Sequence, residues 1–77
     1  MDKSIITCAA NLFGDSFKAH VSPNNTQFIA GLFNGHEYMI SYNPMSRFYV
    51  FTKDDKPLLI GVQKETILEK LQLRKNL

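Results

Sequence analysis

The 77-residue chain has no tryptophan and a single cysteine, Cys8. One cysteine cannot form an internal disulfide, so the core must hold the fold alone, and a reducing, cytoplasmic setting is expected. Long apolar runs are also missing: nothing approaches the ~18 residues of a membrane span. Met1-Asp2-Lys3-Ser4 opens the chain without the basic region and apolar run of a signal peptide. No membrane association is therefore expected. The four glycines, Gly14, Gly31, Gly35 and Gly61, stand apart, which excludes a glycine-rich phosphate loop. Net charge is scarce, at +2. Residues 1–63 balance five basic against five acidic side chains, and the excess lies in residues 64–77. Cations near the end of a helix are favoured by its dipole, so this excess does not by itself imply nucleic acid.

Candidate catalytic groups are equally sparse. His20 and His36 are the only histidines, and neither has a second metal ligand at useful spacing. Cys8 is far in sequence from both and is expected to be buried and inert. Asp54-Asp55 precedes Lys56-Pro57 and reads as a turn, not a cation site. No cofactor, no metal and no enzymatic activity are expected.

What is present is a pattern of turns. An apolar fraction of 44% with 21% charged residues fits one small globular domain over residues 1–77 and excludes a disordered chain. Pro23-Asn24-Asn25, Asn34-Gly35, Asn43-Pro44-Met45-Ser46 and Asp54-Asp55-Lys56 recur about every ten residues, the spacing of a β-meander. The predicted strands are 16–21, 27–33, 36–42, 47–53 and 57–61. Asn34-Gly35 is the strongest signal, because a type I′ turn needs two residues that accept positive φ. A competing helix, with Ser22 as cap, Pro23 first and Gly35 as stop, would contain Asn24, Asn25, Thr26 and Gly31, all poor helix formers.

After Gly61 the period changes. Ile67, Leu68, Leu71 and Leu73 predict an amphipathic helix over 64–75, with Thr66-x-x-Glu69 resembling a capping box. Residues 1–14 read less clearly. Asp2 or Ser4 can cap a helix ending at Gly14, with Ile5, Ala9, Leu12 and Phe13 on one stripe, whereas the β-branched run Ile5-Ile6-Thr7 favours a strand. The helix is the expectation. The fold class is then α+β: an antiparallel β-meander of about five strands, a C-terminal α-helix packed on one face, and a short helical N-terminal segment.

The Asn34-Gly35 turn sets Ile29 opposite Ile40, and a hairpin closed with Tyr42 opposite Arg47 completes the register. One face then carries Phe28, Ala30, Leu32, Met39, Phe48 and Val50, and is expected to be the core under the C-terminal helix. The other carries Ile29, Phe33, Tyr38, Ile40, Tyr42, Tyr49 and Phe51 with His36, Arg47 and Lys53, joined by Lys18 and His20. Tyrosine and arginine are favoured at protein interfaces, so Tyr38, Tyr42, Arg47, Tyr49, Phe51 and Lys53 are the candidate partner-binding residues. A protein partner is the leading expectation, in the manner of a small adaptor or inhibitor, and a homodimer through the same face is possible. The alternative is single-stranded DNA or RNA, with bases stacked on the rings and Lys18 and Lys53 on phosphates. The plainer reading is that the N-terminal segment covers this face and the tyrosines are half-buried.

Overall fold

The computed structural model describes residues 1–75, in the order α1 (Lys3–Phe13), a single 3-10 turn (Gly14–Ser16), β1 (Lys18–Val21), β2 (Gln27–Phe33), β3 (His36–Asn43), β4 (Phe48–Lys53), β5 (Lys56–Gly61) and α2 (Lys64–Lys75). The five strands form one antiparallel sheet in sequential order, β1-β2-β3-β4-β5. Both helices lie on the same side of it.

Local chemistry accounts for each element. Asp2 sits in extended conformation before α1 and its Oδ1 accepts from the Ser4 backbone N–H at 2.9 Å, which settles the helix start. The β-branched run does not prevail because Ile5, Ala9 and Phe13 recur along one helical face and are all buried. The 3-10 turn consumes residues 14–16, so β1 starts at Lys18, two residues later than its predicted start. Ser16 then replaces a missing strand partner: its Oγ accepts from Leu32 N–H at 2.8 Å and donates to the Phe13 carbonyl at 2.8 Å.

The turns carry the meander. Asn34 and Gly35 adopt φ of 52° and 78°, the left-handed pair that a type I′ hairpin requires. Asp54 and Asp55 do the same at 51° and 67°, a second two-residue hairpin built without glycine. Asp54 is held there by the neighbouring hairpin: its N–H donates to the Glu37 carbonyl at 2.7 Å, its Oδ1 accepts from Glu37 N–H at 2.9 Å, and its Oδ2 lies 2.8 Å from His36 Nδ1. Between β3 and β4, Asn43 Oδ1 accepts from Met45 N–H at 2.9 Å, and Arg47 closes the turn at φ 61° with its N–H on the Asn43 carbonyl.

That last turn corrects the predicted register. Tyr42 pairs with Tyr49 and Asn43 with Phe48, so Arg47 belongs to the turn and does not face Tyr42. The displacement is two residues. Because side chains alternate with period two, an even slip leaves the strand residues of β4 on their predicted faces.

The choice of core face is the larger correction. The helices cover the tyrosine-bearing face, and the core is Ile5, Ala9 and Phe13 of α1, Ile67 and Leu71 of α2, and Ile29, Tyr38, Ile40, Tyr49 and Phe51 of the sheet. The face of Phe28, Ala30, Leu32, Met39, Phe48 and Val50, expected to be the core, has no helix upon it. Gly31 gives the steric reason. A β-carbon placed there would lie 2.2 Å from Phe13 Cγ and 2.4 Å from Phe13 Cβ, so α1 lies close to the sheet where β2 presents no side chain. The Phe13 ring then stacks on Tyr38, the residue across from Gly31, at 6.2 Å between centroids.

Helix α2 begins at Lys64, so Thr66 and Glu69 lie inside it and do not form its cap. Its inward row is Ile67, Leu71 and Arg74, at i, i+4 and i+7; Leu73, predicted on the stripe, is exposed. Arg74 therefore turns inward. Its guanidinium carbon stands 5.1 Å from the Tyr38 ring centroid and 5.2 Å from that of Phe51, while Nη1 donates to the Lys70 carbonyl at 3.1 Å. Lys64 Nζ reaches Asp2 Oδ2 at 3.1 Å and ties the two helix starts together.

Candidate functional site

The residues singled out as partner contacts fall into two groups. Tyr38, Tyr42, Tyr49, Phe51 and Lys53 do share one face, as the alternation requires. The helices enclose most of it: Tyr38 keeps 4% of its surface, Tyr49 6% and Phe51 none. These three rings are core residues, and the reading in which the N-terminal segment covers them holds for this face, with α2 sharing the task. Burial drives the Tyr49 hydroxyl above its ordinary pKa. Tyr42 packs on Tyr49 at 4.5 Å between centroids with the rings tilted by 35°, and stays half-buried. Lys53, opposite Tyr38, is half-buried at the hairpin end, and Arg47 is exposed in its turn. Lys18 and His20 pair with Ala30 and Phe28, which places them on the opposite face from the tyrosines.

The uncovered surface of the sheet is the stronger candidate. Its rows can be written from the pairing. Lys18, Ala30, Met39 and Thr52 lie side by side across four strands, and His20, Phe28, Ser41, Val50 and Ile60 across all five. Leu32 with Glu37, and Asn43 with Phe48, extend the surface at its two ends. Seven apolar side chains therefore stand on it: Phe28, Ala30, Leu32, Met39, Phe48, Val50 and Ile60. Ile60 is 61% exposed, Leu32 56% and Phe48 48%.

An antiparallel sheet with one face packed and one in water normally alternates apolar with polar residues. Here both sets of alternating positions are mainly apolar. The polar groups on the open face are small or peripheral: Ser41 and Thr52 among the apolar residues, Lys18 and His20 on the β1 edge, Glu37 and Asn43 at the ends. The His20 ring lies over Phe28 at 6.2 Å between centroids and extends the aromatic surface toward that edge.

Alternation alone identified six of the seven apolar residues as one face. Ile60 was missed, because its side depends on pairing with Val50 and on a β-bulge between Phe51 and Thr52. The bulge leaves Leu58 as the extra residue, and Leu58 is exposed beside Ile60.

The remaining polar geometry serves the fold. Asp54 is held below the ordinary carboxylate pKa, first by the Glu37 N–H and then by His36, and both contacts brace neighbouring turns. Among the described residues no three His, Cys, Asp or Glu side chains converge as a metal site, and no helix is long and apolar enough to cross a membrane. Cys8 is half-buried and packs against the core from α1. In comparison with known proteins, the chain matches no family model, no curated protein and no solved structure.

Proposed function

We propose that this chain is a small non-enzymatic binding module, and that it engages a protein partner through the open face of its sheet. The observation that carries this reading is the set of seven apolar side chains left without a covering layer in a chain that has already built a core elsewhere. A contiguous apolar patch of several hundred Å² is the mark of an interaction surface. The Tyr/Arg/Lys cluster is not the contact surface in this reading, since Tyr38, Tyr49 and Phe51 are interior. Single-stranded nucleic acid is disfavoured on the same ground: bases need exposed rings to stack on and cations nearby, and the open face offers Lys18 as its only lysine or arginine.

The test is comparative capture of proteins from extract on immobilised chain. Val50→Lys and Phe48→Lys place a charge on the open face, away from the core. Leu73→Lys alters an exposed leucine of α2 and serves as control. The expected result is a defined protein retained by the wild type and by Leu73→Lys and lost from both face variants, all four chains melting alike. Capture indifferent to the face substitutions would end this reading.

A further inference from the structure

The partner that fits the open face best is a second copy of the same chain. We infer that two copies pack these faces together as a two-fold symmetric β-sandwich, with both helical layers outside. This rests on the reading of the open face as a docking surface and names its occupant.

Area is the first argument. Five strands about 4.8 Å apart, with roughly six residues each at ~3.3 Å rise, make a face on the order of 500 Å². Two such faces in contact remove about 1,000 Å² in all, which reaches the size at which specific association begins. The match requires the whole face on both sides. A second copy supplies a surface of identical outline, and its sheet twist suits the ~30° offset at which sheets stack.

Side-chain size and charge are the second argument. Consider a two-fold axis lying in the face, across the strands, between the Ala30–Met39 row and the Phe28–Ser41 row. It sets Ala30 over Phe28 of the partner subunit and Met39 over Ser41 of the partner subunit, small against large in both cases. Val50 meets Thr52 of the partner subunit. Glu37 meets Asn43 of the partner subunit, so the one carboxylate of the face does not oppose its own copy. Lys18 meets His20 of the partner subunit at the rim, where solvent screens both. An axis along β3 instead would bring Glu37 against itself, and like charges in opposition disfavour that arrangement. The surface is therefore self-complementary about one of its two in-plane axes, which is what an isologous interface demands.

An interface of this size, without an arginine or tryptophan anchor, predicts reversible association in about the micromolar range, not an obligate dimer. The test is sedimentation equilibrium of the wild type, Val50→Lys, Ile60→Lys and Leu73→Lys over a wide concentration range, with a thermal melt of each. Wild type and Leu73→Lys should show the same concentration-dependent dimer. Each face substitution enters an isologous interface twice, so a loss of about tenfold per side weakens the dimer about a hundredfold. Both face variants should remain folded, because neither residue touches the core. A wild type that stays monomeric throughout overturns the inference, as does a dimer that persists unchanged in both face variants. The capture experiment separates the two claims. A monomeric wild type that still loses a captured protein on Val50→Lys removes the homodimer and leaves the docking face standing; a monomer with no face-dependent capture removes both.

Discussion

Replacing Gly31 by alanine adds one methyl group to a central strand, and the structure states what that methyl meets. Its β-carbon would fall 2.2 Å from Phe13 Cγ, 2.4 Å from Cβ and 2.6 Å from Cδ2. These are atoms at the root of the Phe13 side chain, fixed by α1, so no rotation of a flexible end relieves the overlap. The helix must lift or Phe13 must leave its rotamer. Overpacking of this kind costs about 1–3 kcal/mol. Alanine recovers part of it by restricting the unfolded chain, about 0.4–1 kcal/mol where the backbone conformation suits it. The net expectation is a loss of about 1–2 kcal/mol. A 77-residue domain has an unfolding entropy of about 0.16 kcal/mol/K, so the melting midpoint should fall by about 6–12 °C. Far-UV circular dichroism against temperature reads this directly. Gly61 supplies the internal control: nothing lies within 4 Å of its β-carbon and its φ is not positive, so Gly61→Ala should leave the midpoint unchanged or slightly raised. A double-mutant cycle with Phe13→Leu, which thins the ring, should show a favourable coupling between the two sites. A Gly31→Ala midpoint at or above that of the wild type would refute the argument that close approach of Phe13 dictates glycine here.

Two further perturbations test the turn and cap geometry. Asp55 occupies the second position of a type I′ turn at φ 67°, where an L-residue is strained by about 1–2 kcal/mol. Asp55→Gly should raise the midpoint by about 3–6 °C after the added flexibility of the unfolded chain is deducted. Asp54→Gly should gain less or lose, because it also removes the contacts to Glu37 and His36. Asp2 is lowered from its ordinary value of 3.8 to about 2, first by the Ser4 hydroxyl, then by the Ser4 N–H and Lys64. Its folded pKa is the lower one, so its contribution to stability is fully present above the ordinary value and is lost as pH falls from about 4 through about 2. Thermal midpoints measured across that window should fall more steeply for the wild type than for Asp2→Asn, which can still cap the helix but does not titrate. Parallel curves would remove Asp2 from the acid response.

The elements were legible because their signals are local. Turn residues such as Asn34-Gly35 and Asn43-Pro44 fix where strands end, and the change of period after Gly61 fixes where α2 begins. Asp2 and Gly14 bracket α1. The register of β3 on β4 needed one more fact, the left-handed Arg47, which moves the four-residue turn from 43–46 to 44–47. The face assignments of β4 survived that error because the slip was even, whereas Lys18 and His20 on β1 fall on the face opposite the one expected. Arg74 was hidden for a different reason: charge suggests solvent, whereas helical spacing from Ile67 and Leu71 points it at Tyr38 and Phe51. Spacing prevailed, since a guanidinium can lie on aromatic faces that a lysine end would leave.

Which face becomes the core is a long-range question, and hydrophobicity does not answer it in this sheet. Both faces are mainly apolar, and the one without tyrosines looks the better core. The side that the helices choose is decided by shape. Gly31 leaves a hollow between Ile29 and Phe33 that Phe13 fills, and Tyr38, Tyr49 and Phe51 then bury the largest rings of the sheet around it. On the other face a depression around Ala30 is lined by Lys18, Phe28, Leu32, Glu37 and Met39, and no residue of either helix enters it. The same ambiguity that misdirected the core assignment is thus the property that the dimer proposal uses: a sequence with two apolar faces has one more than a monomer can bury.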